Sequence, residues 1–421
     1  MDPAEDFESD LGPQSKSQFE IQSDPRADIG YAEDQMEAMS IHLSPPPVFT
    51  FFEFAFTIAT SCLYLIDTGL DLYLAWGYYQ SGWMTYFGLT LGFVIGPAVL
   101  VTFCSVLLYI SDSQNPRVPK PSICQKLLRC IFSLLQLGPL LRDLNVLTYG
   151  MRSVLALRKF DSRAQEKYYD FVLLEQSDSA FLRLFERFLE AAPQVILQVF
   201  IIFYHMEDSS THFGGVVQLI SISTSVMTLA WALAVFNTTR RNTTPGKKRL
   251  TFWGRTLQFL WHFCMISSRV VTLALFTSIH PTLTAPLCAF RWVLMLAWLT
   301  CQETQINEDL QKESRASCVD HFSKKFLYAF VYIFALFNSE EKPRRLKYDL
   351  FYLVYFVENS LLLISCVYST MTFSVILSSV VSHALFLLGF TFMCVYFKWC
   401  HPSMTFLTFH KALSHWVGLK Y

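Results

Sequence analysis

The sequence predicts an all-α polytopic membrane protein with eight transmembrane helices and two re-entrant half-helices, arranged as two parallel pseudo-repeats. Three observations lead to this fold class: the composition, the length of the apolar stretches, and the distribution of lysine and arginine between them. Of the 421 residues, 52% are hydrophobic and only 16% are charged, whereas soluble domains carry roughly 25% charged residues. Several apolar stretches reach about 20 residues, the length needed to cross the hydrocarbon core of a bilayer.

The first 48 residues differ in composition from the rest of the chain. They are acidic and poor in apolar side chains, so the segment 1–48 cannot bury a core and is predicted to be a disordered cytosolic N-terminus. It lacks a basic stretch followed by an apolar one, so it does not resemble a signal peptide. The formal net charge of −1 gives no reason to expect nucleic acid as a partner.

The orientation of the predicted spans follows from short connections that contain neither lysine nor arginine. These connections are 77–82, 206–214, 279–285 and 369–373. The connections between them are basic, and the positive-inside rule places basic connections in the cytosol. The four connections without lysine or arginine are then external, and both termini are predicted to be cytosolic.

Counting the crossings gives eight predicted spans. They are 49–76, 83–110, 181–205, 215–236, 252–278, 286–302, 350–370 and 372–397. Two further apolar stretches, 127–149 and 326–338, cannot cross the membrane without inverting the orientation of all later spans. They are therefore predicted to be re-entrant or interfacial segments. The two membrane repeats are then 49–236 and 252–397, and 398–421 is a cytosolic tail.

Ionisable residues occur inside several of these spans, where they are rare and usually face the interior of the helix bundle. Asp67 and Asp71 are four residues apart, so a helix places both carboxylates on one face. The further candidates are Arg183, Glu186, Arg187, Glu190, Arg269 and Glu358. They form either buried ion pairs that fix helix register or a polar path across the membrane, and their staggered depths favour the path.

The pseudo-repeats add a specific expectation about pairing. The first span corresponds to the fifth, and Asp67 lies at nearly the same depth as Arg269. We therefore expect Asp67 and Asp71 to face Arg269 across the pseudo-axis, whereas Glu186 and Glu190 find local partners in the neighbouring arginines of their own helix.

No motif of an enzyme or a metal site is present. The sequence lacks HExxH, GxSxG, a P-loop and a dinucleotide-binding GxGxxG in its structural context. We therefore expect no enzymatic activity, no cofactor and no bound metal. The predicted external connections contain no cysteine, so we expect no disulfide framework.

Several ordered motifs resemble the XK-related family of membrane proteins. They include "DTGLDLYLAWGYYQSG", "LLQLGPLLR", "FLEAAPQVILQ", "QFLWHFCMISSRVVTLALFTS" and "FVENSLLL", and the matches run from about residue 50 to residue 402. The resemblance implies eight spans with two re-entrant helices, and a phospholipid scramblase that exposes phosphatidylserine at the plasma membrane of dying cells. It also implies that six of the ionisable candidates line the path of the lipid headgroup, namely Asp67, Asp71, Glu186, Glu190, Arg269 and Glu358.

The resemblance leaves activation and partners open. Several family members are activated when a caspase cuts a cytosolic tail after an aspartate, but residues 398–421 contain neither aspartate nor glutamate. Asp10 and Asp28 are the remaining candidate cleavage sites. The expected partners are phospholipids, together with a single-span accessory subunit or a lipid-transfer protein, and a homo-oligomer stays open. The alternative function is a non-scrambling scaffold that recruits a lipid-transfer or cytoskeletal partner.

Overall fold

The chain is described by a computed structural model at residues 48–114, 123–134, 137–204, 215–243, 249–307, 325–336 and 345–400. All regular secondary structure within these ranges is helical. The helices are α1 (Phe51–Gln80), α2 (Met84–Gln114), α3 (Ile123–Leu134), α4 (Gly138–Arg158), α5 (Ser162–Tyr204), α6 (Gly215–Thr243), α7 (Phe252–Ile279), α8 (Pro281–Asn307), the short α9 (325–331), α10 (Arg345–Ser369) and α11 (Phe373–Val395), which ends in a π-helical turn (Tyr396–Cys400). The candidate cleavage sites Asp10 and Asp28, and most of the predicted C-terminal tail, lie outside the described residues.

Seven of these helices are long and apolar enough to cross a membrane: α1, α2, α6, α7, α8, α10 and α11. The prediction of an all-helical chain with many candidate spans is therefore confirmed. Helix α5 is not among the seven because of its charges, although its 43 residues would extend about 64 Å. It begins at Ser162 rather than at the predicted 181, because the polar residues before 181 continue the same helix.

The two apolar stretches predicted to be re-entrant are not among the candidate spans. The first is interrupted as expected, since α3 ends at Leu134 and α4 starts at Gly138 with Pro139 in its first turn. Helix α4 then continues to Arg158, well beyond the predicted end at 149. The second stretch forms α9 and a following turn, and its residues Val331 to Leu336 are all buried.

Local signals explain the ends of α1. Thr50 and Glu53 form a capping box, in which the Thr50 hydroxyl accepts from the Glu53 amide and the Glu53 carboxylate accepts from the Thr50 amide at 2.9 Å. At the other end, Gly82 adopts φ +76 in the tight turn to α2, a conformation that favours glycine. The rings of Tyr78 and Trp83 stack across this turn.

The apolar core lies around α5 and α7. Helix α7 packs against α5, α6, α8, α10 and α11, and the fully buried Phe188, Leu233 and Leu273 belong to one continuous apolar cluster. Helix α1 is different, because it packs against α2, α4 and α6 but no Cα atom of α1 lies within 8 Å of a Cα atom of α5. The space between α1 and α5 is therefore bridged by side chains alone.

Candidate functional site

A stripe of buried polar side chains on each of α1, α5 and α6 fills the space between these helices, and we call this group the polar seam. Its members are Thr60, Tyr64, Asp67 and Asp71 of α1, Arg183, Glu186, Arg187, Glu190, Gln194 and Gln198 of α5, and Gln218, Ser221, Ser225 and Thr228 of α6. Spacings of three and four residues place each stripe on a single helical face. Six of the eight predicted site residues therefore lie in one group.

Asp67 is the centre of the seam. It is fully buried and accepts hydrogen bonds from Ser225 at 2.8 Å and Thr228 at 3.0 Å, and it forms an ion pair with Arg187. A carboxylate that accepts from a guanidinium and two hydroxyls is held in one orientation. Helices α1, α5 and α6 are thus joined through a single carboxylate.

Asp71 extends the seam by one helical turn. One of its carboxylate oxygens accepts from Gln198 at 3.3 Å and from Ser221 at 3.1 Å, whereas the other has no hydrogen-bond partner. The chain of polar groups continues from Gln198, whose backbone oxygen accepts from Gln218, to the Tyr78 hydroxyl near the end of α1. The seam therefore reaches the α1–α2 turn.

The other end of the seam is built around Tyr64. Its hydroxyl donates to Glu186 at 2.8 Å, and the Arg187 guanidinium lies 4.5 Å from the centre of its ring, a cation–π geometry. Arg187 also lies 3.7 Å from Glu190. Glu186 and Glu190 each keep one buried oxygen without a hydrogen-bond partner, so these carboxylates have acceptor capacity that the protein does not use.

Arg183 connects the seam to α4. It donates to the Thr60 backbone oxygen at 3.0 Å and forms an ion pair with Asp143, which also accepts from Ser179 at 2.7 Å. Near this end a cleft is lined by both signs of charge, with Glu53, Asp143, Arg183 and Arg255 among its walls. The seam is therefore open to a surface at the end where α1 begins.

Arg269 and Glu358 do not belong to the seam, and the expected pairing of Asp67 and Asp71 with Arg269 is wrong. Arg269 instead donates to Glu358 at 2.7 Å, to Asn359 at 2.6 Å and to the Ile333 backbone oxygen at 3.1 Å. Helices α7 and α10 pack directly, so Arg269 on α7 reaches its partners on α10. Where α7 faces α5, by contrast, the side chains between them are apolar and belong to the shared core. The charges form two separate groups.

Sequence reasoning missed several members of the site. Asp143 lies in the predicted re-entrant segment and was not considered as a partner for a span. The polar residues of α6 carried a detectable signal, because Gln218, Ser221, Ser225 and Thr228 recur at spacings of three and four within an otherwise apolar helix. Among the described residues, no group of three histidine, cysteine or carboxylate side chains could hold a metal ion.

Comparison with known proteins gives a consistent result. The profile of the family described as XK-related protein matches residues 55–402. The chain is similar to XK-related protein 8 of Gasterosteus aculeatus, with 25% identity over 371 residues and 85% of each chain covered. It is also similar to XK-related protein 8 of Tetraodon nigroviridis, with 24% identity over 372 residues and the same coverage.

Proposed function

The chain belongs to the XK-related family, and on that premise we propose that it moves phospholipids between the two leaflets of the plasma membrane without an energy source. Headgroups travel along the polar seam while acyl chains remain in the surrounding lipid, and phosphatidylserine becomes exposed, as in dying cells. One observation carries the proposal. The buried polar side chains of α1, with Thr57 at their start and Tyr78 at their end, span about 32 Å along the helix, which matches the roughly 30 Å of a hydrocarbon core.

The proposal includes a topology. Helix α5 also crosses the membrane and brings the number of spans to eight. Its charges are tolerated because they face the seam rather than lipid. The α3–α4 break and α9 mark two re-entrant segments, the halves are parallel pseudo-repeats, and both termini are cytosolic. The basic residues Arg240 and Arg241 in the last turn of α6 support this orientation.

The energetic reasoning rests on the charges of both signs. Moving an ionised group into hydrocarbon without partners is prohibitively costly, but the seam offers partners for each part of a headgroup. Arg183 and Arg187 can receive a phosphate, because a guanidinium binds phosphate through paired N–H donors. The unpartnered oxygens of Asp71, Glu186 and Glu190 can receive an ammonium group.

In this structure the middle of the seam is closed, although its end near the start of α1 is open to a surface. Arg187 and Tyr64 bridge α1 and α5 through Asp67 and Glu186, so these groups are occupied with one another. A passing headgroup replaces these bridges in turn. The protein is then a facilitator rather than an enzyme, with phospholipids as substrates and with an accessory subunit or lipid-transfer protein as the class of regulatory partner.

Reconstitution tests the proposal. Purified full-length protein in liposomes that carry a fluorescent phosphatidylserine analogue is treated with a membrane-impermeant quencher, and scrambling lowers the protected fraction. We expect activity from the wild type or from Tyr64→Ala, which removes one bridge, and a loss of at least tenfold in Glu190→Gln made in the active background. Ser223→Ala is the matched control, because Ser223 is exposed and bonds only its own helix backbone.

The outcome separates the proposal from the alternative. If the wild type and Tyr64→Ala both fold and neither scrambles, the chain is a scaffold that recruits a lipid-transfer or cytoskeletal partner. Equal loss of activity in Glu190→Gln and Ser223→Ala would contradict the assignment of the path to the seam.

A further inference from the structure

A second charged group lies in the other half of the chain, and we call it the arginine cluster: Arg269, Arg291, Glu358 and Asn359. Two guanidiniums meet one carboxylate here, since Glu358 lies 2.7 Å from Arg269 and 3.5 Å from Arg291. The formal charge of the cluster is therefore +1.

The hydrogen-bond donors of the cluster are not all used. Arg269 donates to three acceptors. By contrast, Arg291 is only 5% exposed, and its Nε faces a Glu358 oxygen at 3.5 Å, but one of its terminal nitrogens has no hydrogen-bond partner, and neither has the side-chain nitrogen of Asn359. Buried donors without partners are rare in native proteins and call for an explanation. Two such donors beside an excess positive charge match an absent anion with more than one oxygen.

The depth of the cluster limits where that anion comes from. Arg269 lies ten residues before the end of α7, and Arg291 lies ten residues after the start of α8. The ends of α7 and α10 are held together by His280 and Ser369 at 3.2 Å. At 1.5 Å per residue the cluster is about 15 Å from these ends, near the middle of a hydrocarbon core. A free anion would have to leave water to reach it.

The surroundings offer a lateral route. No Cα atom of α8 lies within 8 Å of one of α10, and the Glu358 side chain keeps 19% of its surface exposed. The flanking side chains Phe290, Val293 and Leu361 are apolar and exposed. An acyl chain can lie between these residues while a phosphate oxyanion reaches Arg291 and Asn359.

We propose that the arginine cluster binds the phosphate of an anionic phospholipid, which inserts from the membrane between α8 and α10. The lipid is a resident ligand that balances the charge of the cluster, and the site is separate from the polar seam and does not depend on scrambling. Its phosphodiester contributes one negative charge and the acceptor oxygens that the unpartnered donors require.

Thermal unfolding of the purified full-length protein in detergent tests this assignment, with dihexanoyl phosphatidylglycerol as the probe. A ligand that binds only the native state stabilises it in proportion to its occupancy, so we expect a rise in Tm of about 2–4 °C near saturation. Arg291→Gln removes the excess charge and should abolish the shift. Arg152→Gln, at an exposed position of α4, should retain it.

A second cluster variant controls for a folding defect in Arg291→Gln. Asn359→Asp keeps both arginines but supplies a negative charge within the protein, so it should fold without lipid at least as stably as the wild type and lose the response to phosphatidylglycerol. A full response in either cluster variant would overturn the proposal. An equal, Arg291-dependent shift with sodium phosphate at the same ionic strength would identify a free-anion site and overturn the lipid assignment.

Discussion

The two charged groups of this chain differ in charge order and in the spacing of the helices that carry them. In the first half, a carboxylate of α1 pairs with a guanidinium of α5; in the second half, a guanidinium of α7 pairs with a carboxylate of α10. Helices α7 and α10 pack backbone to backbone, whereas α1 and α5 do not. A buried ion pair therefore joins a packed interface in the second half and spans a gap in the first.

The difference teaches what a buried ion pair contributes in each place. In the arginine cluster the pair is surrounded by packed helices, and Arg269 also satisfies a backbone oxygen that follows α9. Breaking such a pair leaves an uncompensated buried charge. In the seam several carboxylates and hydroxyls surround Arg187, so one partner can be exchanged for another. The arginine cluster serves stability, and the polar seam is suited to rearrangement.

The largest effect is expected from Glu358→Leu, which removes the carboxylate of the arginine cluster at the packed interface of α7 and α10. Two buried guanidiniums would then have no carboxylate, and the free energy of unfolding should fall by about 3–5 kcal/mol. Denaturant unfolding in detergent measures this loss. The double variant Arg269→Met/Glu358→Leu removes both partners of the closest pair and should recover part of it; no recovery would show that the two residues are not coupled.

A smaller and more selective effect is expected at two tyrosines that occupy similar positions in the two groups. Tyr64 lies under Arg187 and donates to Glu186, whereas Tyr355 lies under Arg269 and donates to the Met265 backbone oxygen. Removal of the Tyr64 hydroxyl weakens a bridge across the gap by about 1 kcal/mol, so Tyr64→Phe should raise the scrambling rate about fivefold.

Tyr355→Phe is the matched control for that measurement. It removes a buried hydroxyl of the same kind, at 2.7 Å from its acceptor, and should lower stability without raising the rate of lipid movement in liposomes. Equal rates in the two variants would remove the distinction between a bridge that opens and an interface that stays packed.

Hydrogen exchange sharpens the comparison at the level of whole helices. Few residues of α1 are buried, whereas most residues of α7 are, and opening free energies follow burial and packing. We expect the amides in the middle of α1 to exchange at least tenfold faster than those in the middle of α7, measured by mass spectrometry on the protein in nanodiscs. Equal protection would indicate that α1 is held as firmly as α7.

A further loss of stability is expected at the third helix of the seam. Ser225→Ala leaves one Asp67 oxygen without its 2.8 Å partner, which should cost about 1–2 kcal/mol of stability. Thr224→Ala is the control, because the Thr224 hydroxyl is exposed and bonds only its own helix backbone. Thermal unfolding of both variants in the same detergent measures the difference.

Much of the fold and part of the site could be predicted from the sequence. Hydropathy identifies the apolar helices, and the four-residue spacing correctly places Asp67 and Asp71 on one buried face. Ion-pair partners could not be predicted, because they depend on which helices approach each other. The expected pairing with Arg269 assumed a symmetry that the unequal helix spacing does not obey, and Asp143 was missed because its segment was treated apart from the spans.

The bridges between α1 and α5 are separate side-chain contacts at successive depths, and this has a consequence for the ion barrier of the membrane. Contacts of this kind can open one at a time, so a headgroup needs only a local opening that moves with it. Under the proposed function, the contacts above and below stay closed during the passage. A protein that works in this way exchanges lipids between leaflets without ever forming a continuous water-filled pore, and the membrane potential of the cell is preserved while its surface changes.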